Sequence, residues 1–213
     1  MKRTIYVLLL SALSLPSLAA LDLNPPDWRG HERSTYQYWD FSTDNQTPEP
    51  DDYKGAFQPL PAEVYPTSGS WNDELEGHAG VFPLSGEIFV PIYNFSEPLD
   101  EKIIWIQLTW LSKGWTPLVE AQADSLDVQM VISEWTTGFL IDEQVLDDGW
   151  THSTFKVILR PNPPQELIHI YGSIYIDDLV IDTLCIPEPA TWGLLALGGI
   201  LLISMRRRDV SST

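Results

Sequence analysis

Ile104-Trp105-Ile106-Gln107-Leu108-Thr109-Trp110 is the stretch on which the fold turns. Ile104, Ile106, Leu108 and Trp110 recur at every second position, and a period of two places all four on one face of an extended strand. The same alternation returns on both sides of it. Ile88, Val90 and Ile92 alternate with Glu87, Phe89 and Pro91; Leu126, Val128, Met130 and Ile132 alternate with Asp127 and Gln129; Phe155, Val157 and Leu159 alternate with Thr154, Lys156, Ile158 and Arg160. Each pattern predicts a strand with one face on a core and one toward water. Residues 34–41, 139–146, 167–171 and 174–184 are further strand candidates, separated by Pro, Gly, Asp and Asn. No amphipathic helix pattern interrupts them. Eight or nine strands within residues 20–186 predict an all-β fold, an antiparallel β-sandwich of jelly-roll type.

Three stretches depart from this pattern. Along residues 173–182 the apolar parity changes: Ile174 and Ile176 share one face, Leu179 and Ile181 the other. One extra residue at Asp177-Asp178, a β-bulge, restores a common inward face. Residues 43–54 lack apolar periodicity and read as an exposed loop. Residues 65–86 are rich in Gly and Ser yet carry Trp71, Phe82 and Leu84. They read as an irregular excursion packed on one edge, the kind of place where such folds carry binding sites.

The chain has 213 residues, a formal net charge of −18 and a single cysteine, Cys185. The acid excess excludes nucleic acid as a natural partner. One cysteine excludes an internal disulfide and any multi-cysteine zinc site. Both ends read as targeting segments. Lys2 and Arg3 precede an apolar run at 5–15 and the exit Pro16-Ser17-Leu18-Ala19, the layout of a signal peptide over 1–19 cut between Ala19 and Ala20. At the other end Pro187-Glu188-Pro189 leads into an apolar helix at about 192–205, closed by Arg206, Arg207 and Arg208. Three arginines stay on the cytoplasmic side and leave the body outside. The body between, 20–186, holds seven basic and twenty-eight acidic residues, a charge of −21.

Residues 187–213 resemble the PEP-CTERM sorting domain, with the Pro-Glu-Pro tripeptide, the apolar helix and the basic cluster in order. The resemblance implies an exported protein of a Gram-negative bacterium that makes extracellular polysaccharide. It implies anchoring in the inner membrane, recognition by an exosortase, and release to the cell surface or matrix. The plain alternative is a tail-anchored periplasmic protein.

Three functional readings remain for the body. The tract around Asp177 and Asp178 resembles the closing strand of carbohydrate-binding jelly-roll modules. That resemblance implies Asp177 or Asp178, with Asp40 from the opening strand, as ligands of a structural Ca²⁺, against the alternative of solvated bulge aspartates. Eight tryptophans lie in the body, and flat aromatic rings suit the apolar patches of sugars. Trp110 and Trp115, flanking the turn 111–114, and Trp135, ahead of Thr136-Thr137-Gly138, are the glycan-binding candidates, while Trp39, Trp105 and Trp150 read as core. The third reading is a polysaccharide-active enzyme of the glycoside hydrolase kind. No pair of carboxylates at a recognisable spacing supports it, the four histidines lack ligand spacing, and no catalytic residue is assigned. The sequence thus favours a non-enzymatic glycan-binding or structural surface protein.

Overall fold

The computed structural model describes residues 22–55, 57–66, 70–93, 101–114, 116–124, 135–163 and 165–186. Ala19 and Ala20, the predicted strand at 126–132, Trp115 and the whole sorting segment 187–213 lie outside those residues. Among the described residues the chain is all-β. Its strands are β1 (Ser34–Trp39), β2 (Asp52–Lys54), β3 (Glu63–Pro66), β4 (Asn72–Leu75), β5 (His78–Tyr93), β6 (Glu101–Ser112), β7 (Leu118–Asp124), β8 (Thr136–Thr137), β9 (Phe139–Val145), β10 (Thr151–Leu159) and β11 (Gln165–Ile186). They join in one sheet, and all pairings are antiparallel. The excursion expected at 65–86 is more regular than its composition suggests, since β4 and the start of β5 form a hairpin there.

The spine is β11, one strand of 22 residues where the sequence suggests two. Its first half pairs with β5 on one side and β7 on the other. Its second half pairs with β1 and β6. Against β6 the register slips between Ile176 and Asp178, so the extra residue required by the parity change is Asp177. Ile174, Ile176, Leu179 and Ile181 are all buried as a result. Beyond this spine, β10 and β9 extend the sheet from β6, β2 lies outside β1, and β3 and β4 both pair with β5.

Gly138, between β8 and β9, brings the two halves together. Its amide donates to the Val119 carbonyl of β7 at 2.7 Å, and a Cβ there would stand 3.3 Å from Val157 Cγ2 of β10. The inward side chains of both halves form a single cluster, with Ile88, Val90, Ile168 and Ile170 from one and Ile104, Ile106, Leu108 and Leu179 from the other. Each such side chain contributes about 1.5–3 kcal/mol through burial. Lys102 and Glu166, one from each half, meet within this core with Nζ 3.0 Å from Oε1, both fully buried.

Alternation alone leaves Gln107 and Thr109 of β6 facing water, yet both are buried. Thr109 pairs through Oγ1 with His152 Nδ1 of β10 at 3.1 Å, and the segment 22–29 lies over Gln107. Asn24 donates its amide to Gln107 Oε1 at 2.8 Å, Gln107 Nε2 donates to Asp22 Oδ1 at 2.7 Å, and Trp105 Nε1 donates to the Asn24 carbonyl at 2.9 Å. Arg29 fastens the segment by pairing with both Asp22 and Asp182. A polar strand face tolerates burial when its donors and acceptors are matched in this way. Burial raises Asp182 to about 6 despite the opposing pull of Arg29.

Candidate functional site

Two of the four histidines become centres of ordered clusters. The first is His78. Glu76 and Gly77 adopt φ of 51° and 88° between the paired residues Leu75 and His78. A two-residue turn with both central residues left-handed matches the twist of the flanking strands. It delivers His78 at the first position of β5. From there Nδ1 lies 2.5 Å from Asp177 Oδ2 and Nε2 lies 2.9 Å from Asp148 Oδ2. The ring packs at 4.3 Å on Trp150, which is fully buried. Asp148 is presented by the tight turn between β9 and β10, where Gly149 takes a φ of 89° and the Trp150 amide donates to Asp148 Oδ1 at 3.0 Å.

Burial draws the His78 imidazole down, and the hydrogen bonds and charges of Asp148 and Asp177 outweigh it, holding the group above its ordinary 6.5. The His78 contact holds the Asp148 carboxyl below its ordinary range, whereas burial pushes Asp177 upward against the pull of His78. With a carboxylate on each ring nitrogen the imidazolium form is favoured, and neither nitrogen is left to take a substrate proton or ligate a metal. The cluster is a tie among three segments.

The aspartates expected as calcium ligands stand around this tie. Asp178 Oδ1 accepts the Tyr38 hydroxyl at 2.6 Å, and burial together with the Asp178 charge pushes the phenol well above its usual range. Asp40 Oδ1 accepts the Ser42 amide at 2.8 Å. The structure therefore brings Asp40 and Asp178 into the electrostatic neighbourhood of Asp177, with one oxygen of each accepting from a protein donor. Calcium takes about six to eight oxygen ligands, and among the described residues no group of three His, Cys, Asp or Glu side chains is placed to hold a metal ion.

The second cluster surrounds His169. On the first half of β11, His169 and Tyr171 take the parity opposite the inward Ile168 and Ile170. Register sets Phe89 of β5 opposite His169 and Glu87 opposite Tyr171. Across β3 it sets Glu63 opposite Phe89 and Tyr65 opposite Glu87, and across β7 it sets Glu120 opposite His169 and Leu118 opposite Tyr171. Directly paired residues project to the same side of a sheet, so these residues share the outer face. His169 stacks on Phe89 at 4.5 Å and on Tyr171 at 4.6 Å. Tyr65 meets Phe89 edge-on at 5.8 Å, and Trp135 leans on His169 at 5.1 Å.

Carboxylates are interleaved with these rings. His169 Nδ1 pairs with Glu120 Oε1 at 2.8 Å. Tyr65 donates its hydroxyl to Glu63 Oε2 at 2.6 Å, and that hydrogen bond raises the phenol's pKa. Tyr65, Leu118 and Trp135 are exposed at 52%, 47% and 36%. An outward sheet face is ordinarily polar; this one carries aromatic rings, with Tyr65 and Trp135 open to solvent.

Of the three tryptophans singled out from the sequence, Trp135 lies on this face. Trp110 does not, and its expected place at a loop edge is corrected: it is 5% exposed in the core and donates Nε1 to Ser153 Oγ at 2.9 Å. Its parity with Ile104 outweighs its nearness to the turn. Trp39 and Trp150 are fully buried as expected. Composition and loop position do not single out Phe89, His169, Tyr171, Tyr65 and Glu87. Their signal was present in the alternation, because Phe89, His169 and Tyr171 occupy positions of water-facing parity.

No protein-family model, no curated protein and no solved structure matches the chain.

Proposed function

We propose that this chain is an exported, non-enzymatic protein of the cell surface or exopolysaccharide matrix, and that it holds glycan on the outer face of β3, β5, β7 and the first half of β11. The observation that carries the reading is the ring cluster around His169, with Tyr65 and Trp135 open to solvent beside Glu63, Glu87 and Glu120. Sugar rings offer C–H patches to aromatic surfaces and hydroxyls to carboxylates. Reading the folded-over sheet as a β-sandwich of jelly-roll type is supported by the pairing of first strand with last and by the core shared between its halves. Export rests on the signal-peptide pattern at 1–19, and exosortase sorting on Pro187, Glu188, Pro189 and the arginines 206–208. The pinned ring nitrogens of His78 favour binding over acid–base catalysis there.

The test is retention of the protein on the polysaccharide of the producing cells. Trp135→Ala and Tyr65→Ala should each weaken retention about fivefold to tenfold, the range of one lost ring contact, with the melting temperature unchanged. Full retention by both variants would overturn the reading.

A further inference from the structure

Resting on that glycan reading, we infer that the ligand of the His169 face is a glycan carrying free amines, and that Glu87 is the residue that reads them. The inference starts from where positive charge is missing. β3, β5, β7, β8 and the first half of β11 contain no Lys or Arg. The seven basic residues of the body are Arg29, Arg33, Lys54, Lys102, Lys113, Lys156 and Arg160, all on other segments. These strands therefore contribute carboxylates to the face and His169 as their one basic group on it, and among the described residues the nearest cation shown on the same side of β11 is Lys113, beyond Tyr171 over the Tyr175 ring at 4.7 Å. A polyanion such as a uronate chain meets like charge there, and a neutral glycan gains nothing from it.

Among the three carboxylates, Glu63 accepts the Tyr65 hydroxyl and Glu120 pairs with His169. Glu87 is held least closely, with Oε1 3.8 Å from His169 Nε2 and half of its side chain exposed. Its cross-strand partners are Tyr65 on one side and Tyr171 on the other. A carboxylate between two tyrosine rings suits an ammonium group, which gains from the charge and from the ring quadrupoles together. An acetylated amine keeps the sugar's shape and loses both terms. The discriminating chemistry is thus a hexosamine unit with its nitrogen unacylated.

The experiment is calorimetric titration of the full chain at about pH 6, where a free amine is protonated. The probes are glucosamine oligomers and N-acetylglucosamine oligomers of equal length, a polyuronate, and an oligolysine of matched charge. The amine oligomer should bind about tenfold more tightly than its acetylated counterpart, the combined size of one cation–π and one ion-pair contact. Glu87→Gln should remove that difference, bringing the amine oligomer to the affinity of its acetylated counterpart. Glu74→Gln, an equal charge change on exposed β4, should leave the difference in place. Equal loss in the two variants would mean diffuse attraction to an acidic protein and would overturn the inference. Equal binding of both oligomers, weakened alike by Trp135→Ala, would overturn the inference and leave the glycan reading standing. Binding of none of the sugars would remove both. Oligolysine binding through Glu87 as tightly as the amine oligomer would assign the face to a cationic peptide and overturn the inference.

Discussion

His78 and His169 each lie between carboxylates and against aromatic rings, with 12% and 11% of the side chain exposed, yet their partners come from different places. The partners of His78 are 99 and 70 residues away, one on a bulge and one on a turn. Those of His169 are the residues that strand pairing sets directly beside it, Phe89 and Glu120. A histidine whose partners are delivered by irregular backbone ties that backbone down. One whose partners are delivered by register decorates a sheet that exists without it. The same chemical parts therefore join distant segments at one end of β5 and line an outward sheet face, the one proposed to hold glycan, at the other.

The largest effect should separate the two directly. His78→Ala leaves the buried Asp177 carboxylate without its cationic partner, and the loss should be about 2–4 kcal/mol in urea unfolding. His169→Ala removes ring stacking from a solvent-facing side and should cost about 1 kcal/mol or less. Equal losses would erase the distinction. A smaller effect appears in pH dependence. Because the folded chain holds the His78 proton more tightly than the unfolded chain, that contribution is complete below 6.5 and is lost as pH rises through the raised value. Asp148, held below 3.8, contributes above 3.8 and ceases to as pH falls through its lowered value. Asp177, raised by burial, opposes folding increasingly as pH climbs above 3.8. The stability advantage of the wild-type chain over His78→Gln should therefore be greatest at mildly acid pH and shrink toward alkaline pH. Asp182 also titrates, at about 6, but it stands in both chains and cancels from the difference. Urea midpoints measured across the pH range would show a flat difference if His78 were not an ion-paired tie.

Much of this architecture is legible in alternation. Ile88, Val90 and Ile92, Ile104 to Trp110, and Phe155 to Leu159 all sit on the parity that the structure buries, and the parity change after Ile176 marks the bulge at Asp177. Coverage of the opposite face is harder to read. Gln107 and Thr109 are polar at outward positions, which in a sequence means water; here it means Asp22 and Asn24 for Gln107, from a segment with no periodic signal of its own, and His152 for Thr109. The tie at His78 was illegible because turn geometry and a bulge, rather than spacing, bring Asp148 and Asp177 to it. The His169 face was half legible. Its outward aromatics break the polar side of two strand patterns, but that they stack together follows only from the register of β5 against β11.

The smallest expected effect concerns the aspartates beside the tie. Asp40, Asp177 and Asp178 carry the charge that a calcium ion would seek, and sequence offers no way to tell a cation site from a hydrogen-bonded cluster of the same composition. Their partners make the distinction. Asp177 faces the His78 ring nitrogen 2.5 Å away, and Asp178 holds a phenol whose proton is retained far above the usual range. A divalent ion entering here would displace the Tyr38 hydroxyl and the His78 ring from their carboxylates, losing two hydrogen bonds to carboxylate oxygens before gaining its own ligands. Chelator should therefore leave the melting temperature of the chain unchanged. Added calcium should likewise raise it by nothing measurable, since only an ion that binds the folded state shifts it. A calcium-dependent rise that survived in His78→Ala and vanished in Asp178→Asn would show that these carboxylates rearrange to take a cation, and the contrast between tie and face would then have to include a metal on the side of the tie.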